Sequence, residues 1–247
     1  MRQLMLVAAL TATGSVQAAP LIDLYGGIYT GYTSLSGDLG AGTGSVDLEN
    51  ELGFDSGRQT VVYLGLEHPV PALPNARLRL SMLSDTANGE TQSTITFGGQ
   101  TINANTLVSS RFDLDYTDLT LYYTPLDLAV KVDVGLTVRQ LKGDFVIQEQ
   151  GNPANRGEAS VSEIVPMLHL GAYGKLPVTG FYATGEINAI GYSGDTFMDV
   201  RAGIGWVSDF LLGVELGYGQ LVLDFDLDDV QADMKVGGPY LAFSLNF

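Results

Sequence analysis

Apolar and polar residues alternate along most of this chain with a period of two, the repeat of an extended strand whose successive side chains point to opposite faces. The clearest run is Leu128 to Val138. Leu128, Val130, Val132, Val134, Leu136 and Val138 form one row, and Ala129, Lys131, Asp133, Gly135, Thr137 and Arg139 form the other. An aliphatic row backed by charges describes a wall with an oily medium on one side and a polar space on the other. The run also has the roughly 9 to 11 residues with which a tilted strand crosses a bilayer.

Similar rows recur. Ile22, Leu24, Ile28, Thr30 and Tyr32 oppose Asp23, Tyr25, Gly27, Tyr29 and Gly31; Val62, Leu64 and Leu66 oppose Tyr63, Gly65 and Glu67. Leu78, Leu80 and Met82 oppose Arg77, Arg79 and Ser81, while Leu119, Leu121 and Tyr123 oppose Asp118, Thr120 and Tyr122. Leu168, Leu170 and Ala172 face away from Met167, His169, Gly171, Tyr173 and Lys175. Residues 181–191 and 197–207 follow suit, with Thr184, Glu186, Asn188, Asp199 and Arg201 on the polar side. A ninth strand opens with Leu212, Val214, Leu216 and Tyr218, Glu215 lying opposite. Near Gly219 its apolar parity passes to Leu221, Leu223 and Phe225, which marks a bulge or the point where the strand leaves lipid. The tenth, Gly238 to Phe247, sets Leu241, Phe243, Leu245 and Phe247 against Tyr240, Ala242, Ser244 and Asn246.

Short and long connections take turns. The short ones, 69–75, 124–127, 176–180 and 208–210, include three with proline; the long polar ones cover about 36–56, 85–111 and 143–160, with a brief 193–195 loop and an acidic 226–235 loop besides. Residues 91–98 and Phe112 to Tyr116 are candidates to carry strands past the lipid. The pattern predicts an all-β fold, a ten-stranded antiparallel up-and-down transmembrane barrel. An even strand number places both ends and the short turns on the periplasmic side, with the long segments outside. Tyr123, Phe181, Trp206 and Phe247, at the ends of apolar rows, would form the interfacial girdle. A water-soluble lipocalin-like barrel or sandwich alternates in the same way but turns its apolar rows inward. The nearly pure aliphatic rows, set against glycine and charge, favour the membrane arrangement.

The first 18 residues carry one charge, Arg2, an apolar run from Leu4 to Leu10 and small residues at Val16 and Ala18. They read as a secretory signal peptide cut after Ala18, leaving residues 19–247 as one barrel domain. No segment offers the roughly 18 to 20 unbroken apolar residues of a helical span. Removing the signal takes Arg2 with it, so 11 Lys and Arg face 28 Asp and Glu, a formal charge of −17 against −16 for the whole chain. Such a surface repels phosphates, which excludes nucleic acid as a partner. The absence of Cys excludes disulfides and thiolate metal sites. The 31 glycines and an only slightly positive mean hydropathy suit alternating strands.

The inward charges are Asp23, Glu67, Asp118, Asp133, Glu186, Asp199 and Glu215 against Arg77, Arg79, Lys131, Arg139, Lys175 and Arg201. So balanced a set, in a barrel slightly wider than the eight-stranded kind that side chains fill, implies pairing across the lumen. The −17 is then left to the loops. His169, inward and mid-strand, is expected to be a lumen histidine bonded to a carboxylate, and His68, beside Pro69, a turn residue. Neither follows an acidic residue by two, as omptin-type proteases require, and no Ser can be placed beside His169 for lipase-like chemistry. Asp224, Asp226 and Asp228 share one side of an extended strand and are weak candidates for Ca²⁺ or for the Mg²⁺ that bridges lipopolysaccharide phosphates. They lack the Gly and terminal Glu of an EF-hand loop, so a solvated acidic segment is the simpler expectation. No cofactor is expected.

An apolar-out strand ending on Phe247 resembles the closing strand of Gram-negative outer-membrane barrels, in which Leu241, Phe243, Leu245 and Phe247 would be read by the assembly machinery. With the signal segment, Asp23-Leu-Tyr-Gly-Gly27 and Asp118-Leu-Thr-Leu-Tyr-Tyr123, the chain is similar to a paired-glycine family of small outer-membrane barrels without an assigned activity. That resemblance implies location and fold and supplies no catalytic or ligand residue. The expected protein is a non-enzymatic, monomeric outer-membrane barrel, in contact with lipid and lipopolysaccharide. It holds up acidic external loops around a lumen filled by charge pairs. The alternative is a narrow channel for small polar or hydrophobic solutes.

Overall fold

Crossing a bilayer takes about 9 to 11 strand residues, and several strands of this protein have twice that number. The computed structural model describes residues 22–192, 194–227 and 230–246; the signal segment 1–18, Asp228 and Phe247 lie outside them. The elements are β1 (Asp23–Thr43), β2 (Val46–Asp47), β3 (Gly57–Glu67), β4 (Asn75–Glu90), β5 (Ile95–Phe97), β6 (Gln100–Ile102), β7 (Leu107–Asp127), β8 (Val130–Glu149), β9 (Arg156–Lys175), β10 (Phe181–Tyr192), β11 (Asp195–Val207), β12 (Leu212–Leu227) and β13 (Val230–Asn246). β1, β3, β4 and β7 to β13 form a closed, antiparallel, ten-stranded barrel in sequence order, and β13 pairs with β1 from Tyr25↔Asn246 to Ala41↔Val230. That last seam is interrupted only where Tyr32 and Thr33 face Gly238 and Pro239, because proline has no N–H to give the ladder. Pro125 marks a register shift between Tyr123 and Leu126 against β8, and the β9–β10 pairing stops at Leu168↔Ala189, beyond which Arg156 to Met167 have no β10 partner among the described residues.

The stretches expected as polar loops are largely strand. Residues 36–43, 85–90, 107–111, 143–149 and 156–160 extend the staves beyond the lipid band. Phe112 to Tyr116 does lengthen β7, but 91–98 does not lengthen β4, since Ile95–Phe97 folds back on Gln100–Ile102 as a separate hairpin through Gly98 and Gly99. Along β8 the outward row is Val130, Val132, Val134, Leu136 and Val138 and then Gln140, Lys142 and Asp144; the inward row is Lys131, Asp133, Thr137 and Arg139 and then Leu141, Phe145 and Ile147. The strand keeps its parity while the chemistry of its two faces inverts. The same holds at Gly219, where β12 pairs with β13 without a shift from Leu212↔Leu245 to Leu227↔Val230. There is no bulge: the strand leaves the apolar band, its outer face turning to Gln220 and Asp224 and its inner face to Leu221, Leu223 and Phe225.

The barrel therefore has two storeys. In the one holding the chain ends the outer surface is apolar, with Leu64, Leu121, Leu136, Leu168, Ile204 and Leu216 exposed. In the far one a single apolar core fills the interior, including Leu39, Phe112, Phe145 and Met234; Phe197 and Phe225 stack with centroids 5.4 Å apart. Leu48, Leu52 and Phe54 of the β1–β3 connection, and Ile95, Phe97 and Ile102 of the β5–β6 hairpin, join that core from above. The hairpin pairs with Gly42 and Thr43 of β1. It also presses on Gly157 of β9, where a Cβ would meet the Phe97 carbonyl oxygen at 2.2 Å. Because β1 and β9 lie on opposite sides of the ring, the hairpin spans and covers the far mouth. The outward aromatics divide unevenly: Tyr123, Phe181 and Trp206 all sit at the rim of the chain ends, and Tyr32 and Tyr218 mark the other edge of the apolar band.

Candidate functional site

Below the apolar core the inward positions turn polar. Register sets the first contacts, since Arg79, Asp118 and Arg139 are direct neighbours across β4, β7 and β8, and Glu186 and Arg201 across β10 and β11. Asp118 takes two hydrogen bonds from Arg139, from Nε at 2.7 Å and Nη2 at 2.8 Å. Two further bonds reach across the lumen. Arg139 Nη2 also donates to Asp199 on β11 at 2.6 Å, and Arg79 Nη2 donates to Glu186 on β10 at 2.7 Å. Glu186 Oε1 is shared with Arg201 Nη2 and Asn188 Nδ2, each at 2.8 Å. Arg77 Nη2 lies 2.9 Å from Glu186 Oε2 but off the line of a hydrogen bond, so that contact is electrostatic. Arg201 reaches the Tyr29 hydroxyl on β1 at 2.7 Å, and the Arg139 guanidinium lies 4.0 Å from the centroid of Tyr116.

The Arg139 side chain is wholly buried and that of Asp118 is 1% exposed. Four guanidiniums and three carboxylates thus join opposite walls in one layer, each charge offset by a partner that makes its burial tolerable. His169 belongs to the same layer, though its partner is not a carboxylate. Its Nδ1 lies 2.9 Å from Asn188 Oδ1, which also accepts the Thr137 hydroxyl, so the ring N–H donates, and Nε2 has no partner among the described residues. No serine hydroxyl bonds to it among the described residues. His68 closes the 68–75 turn, its ring nitrogens near the Pro74 carbonyl and the Val70 N–H.

The other predicted lumen charges are not drawn into this layer. Glu67 receives the Tyr122 hydroxyl at 3.0 Å and stands 3.4 Å from Lys131. Asp133 accepts the Thr124 hydroxyl and Glu215 the Tyr240 hydroxyl, each at 2.7 Å. Asp23 and Lys175 are exposed at the rim, without an ion pair among the described residues. All six line a cavity of about 1260 Å³ that runs from the ion-pair layer to the end holding the chain termini. Six inward tyrosines line it too, Tyr25, Tyr29, Tyr63, Tyr173, Tyr182 and Tyr240. The alternation had placed Tyr25, Tyr29, Tyr63, Tyr173 and Tyr240 inward without giving them a role; the signal was a tyrosine facing the lumen among glycines. Asp224 and Asp226 are exposed on the outer face of β12 past the apolar band, and Asp226 accepts the Gln231 amide. Among the described residues no group of three or more acidic or His side chains is placed to hold a metal. Leu241, Phe243 and Leu245 face outward. The acidic excess stands less on loops than on the outer faces of the extended staves, as at Asp113, Asp115, Asp144 and Glu158.

No protein-family model matches the chain, and no curated protein does. Among solved structures it is similar to the transport unit of the autotransporter AIDA-I from Escherichia coli, at 11% identity and TM-score 0.41, covering 96% of this chain and 92% of the other. It is also similar to a TodX deltaS2S3 mutant monoaromatic hydrocarbon channel at 8% identity and TM-score 0.35, and to the Pseudomonas putida toluene transporter TodX at 9% and 0.32; each match covers 93% of this chain and 91% of the other. All are barrels by likeness of shape alone; the closed barrel here rests on its own strand pairing.

Proposed function

We propose that this protein is an integral outer-membrane barrel of the paired-glycine kind, monomeric and non-enzymatic, that holds a water-exposed, acidic far storey above the membrane. Lipid and lipopolysaccharide contact its apolar band, and the assembly machinery reads the outward row Leu241, Phe243 and Leu245 together with Phe247. The chain ends and short turns lie in the periplasm, and the hairpin-covered end lies outside, as in barrels whose longer connections are external. The observation that carries the closed reading is the stack along the axis. Arg139, wholly buried in the ion-pair layer, lies beneath an apolar core and a hairpin lid. Among the described residues the stack sets paired charges and apolar side chains across the axis, and ions cross apolar packing only at high cost.

The second reading, a narrow channel for small polar or hydrophobic solutes, draws on the wide cavity at the end holding the termini. Conductance of purified protein in planar bilayers separates the two. The closed scaffold gives no stable single-channel steps in symmetric salt; regular steps would establish the channel in its place.

A further inference from the structure

The ion-pair layer makes the cavity a blind cup, and its wall has an unusual surface. Several inward tyrosines lie where a neighbouring strand's glycine leaves room. A Cβ on Gly65 would meet the ring of Tyr25 at 2.1 Å, one on Gly205 the ring of Tyr182 at 2.3 Å, and one on Gly217 the ring of Tyr240 at 2.3 Å. Each ring is pressed against the wall with backbone behind it, which leaves phenol surface toward the cup. Tyr173 and Tyr182 continue this paving side by side, their centroids 5.1 Å apart. Among the paving stand three carboxylates spread around the ring, Glu67 on β3, Asp133 on β8 and Glu215 on β12. Of these three, Lys131 approaches Glu67, and it also lies 3.9 Å from Asp127 at the rim; among the described residues no cation lies within 4.0 Å of Asp133 or Glu215.

Aromatic surface interleaved with carboxylates, two of which, Asp133 and Glu215, have no cation beside them among the described residues, is the chemistry that recognises an ammonium ion. The rings offer the negative face of their quadrupole, and the carboxylates offset the full charge. The mouth itself is apolar, with Leu128, Leu176, Val178 and Phe210 at the turn tips, which suits an ammonium carried on a hydrocarbon or aromatic body. From this geometry we infer that the cup is a binding site, open to the periplasm, for an organic ammonium ion. This goes beyond the scaffold reading and does not depend on conductance, since a barrel that passes ions would still carry the cup.

Titration calorimetry on the full folded protein in a non-ionic detergent tests it, with benzyltrimethylammonium and choline as probes. The controls are 3,3-dimethyl-1-butanol, the uncharged carbon isostere of choline, and benzoate. The expected result is saturable binding of both cations, no measurable binding of either control, and affinity weakened about ten-fold by Glu215→Gln, a loss of about 1.4 kcal/mol. Tyr182→Leu, which removes paving but no charge, should weaken the aromatic cation as well. Thermal melting of each variant confirms that it is folded. The inference is overturned if neither cation binds, if the carbon isostere binds as well as choline, or if both folded variants bind like the parent.

Discussion

Arg139 and Phe145 point the same way from the same strand, six residues apart, yet one is held by carboxylates from two other staves and the other by aromatic packing against Phe112 at 5.0 Å. The strand between them has no bulge or change of parity. What changes is the medium outside. Where lipid surrounds the barrel, apolar side chains gain nothing by turning inward, so the inner row is polar and must satisfy its own charges. Where water surrounds it, burying apolar surface is worth roughly 25 cal/mol per Å², and the same staves close around a core like that of a soluble sandwich. The membrane storey is joined across its middle by ion pairs, and the far storey by hydrophobic packing.

The comparison breaks most visibly at two adjacent residues. Phe145→Asp puts an unpaired charge into the apolar storey and should destabilise the protein by more than about 4 kcal/mol, enough to prevent refolding. Asp144→Phe, one residue earlier on the wet outer face, should stay within about 0.5 kcal/mol of the parent. Urea unfolding after refolding into vesicles measures both. If Phe145→Asp refolds with near-parental stability, the far storey is not a packed core.

The next largest effect belongs to the layer below. Arg139→Met leaves Asp118 and Asp199 short of their main partner and should cost about 3 to 5 kcal/mol. Arg139→Met combined with Asp118→Leu removes a charge from each side and should be more stable than the single variant. A double variant that is worse than the single would mean that Asp118 contributes through some contact other than Arg139.

This division explains what could be read from the chain. Val130 to Val138 show their strand plainly because lipid demands an unbroken aliphatic row, and the inward set follows by parity. The partners do not follow: Glu186 meets Arg79 across the lumen only because of the stagger of the closed barrel, which no spacing along one strand reveals. Residues 143–160 look like a loop because Lys142 and Asp144 occupy the row in which lipid had required Val and Leu, and Leu141, Phe145 and Ile147 fall in the row expected to be polar. The alternation was present with its sense reversed. The Gly98-Gly99 pair between Ile95-Thr-Phe97 and Gln100-Thr-Ile102 was a hairpin signal of the ordinary kind, hidden because residues 91–98 also read as a continuation of the preceding strand.

The smallest effect concerns a carboxylate on the wrong side of this division. Asp85 is at an inward position of β4 beyond the lipid band, between Leu83 and Ala87. Its Oδ1 accepts the Thr86 N–H at 2.7 Å, while Oδ2 is covered and has no partner among the described residues, although the rest of the group meets water. Burial raises its pKa above the ordinary value against the pull of that N–H, and Asp55 adds to the rise. A carboxyl whose folded pKa exceeds its unfolded one, about 3.9, favours the fold fully below the unfolded value, and that contribution is lost as pH rises through the folded value. At pH 7 the ionised group is therefore a liability. Asp85→Asn should be the more stable form there by about 0.5 kcal/mol at most, given solvent screening, and the difference should close as the pH falls toward 4. Urea midpoints at pH 4 and pH 7 give the sign. If the parent is the more stable at pH 7, Asp85 is held by a contact that outweighs its burial, and the far interior admits charge more readily than its aromatic packing implies.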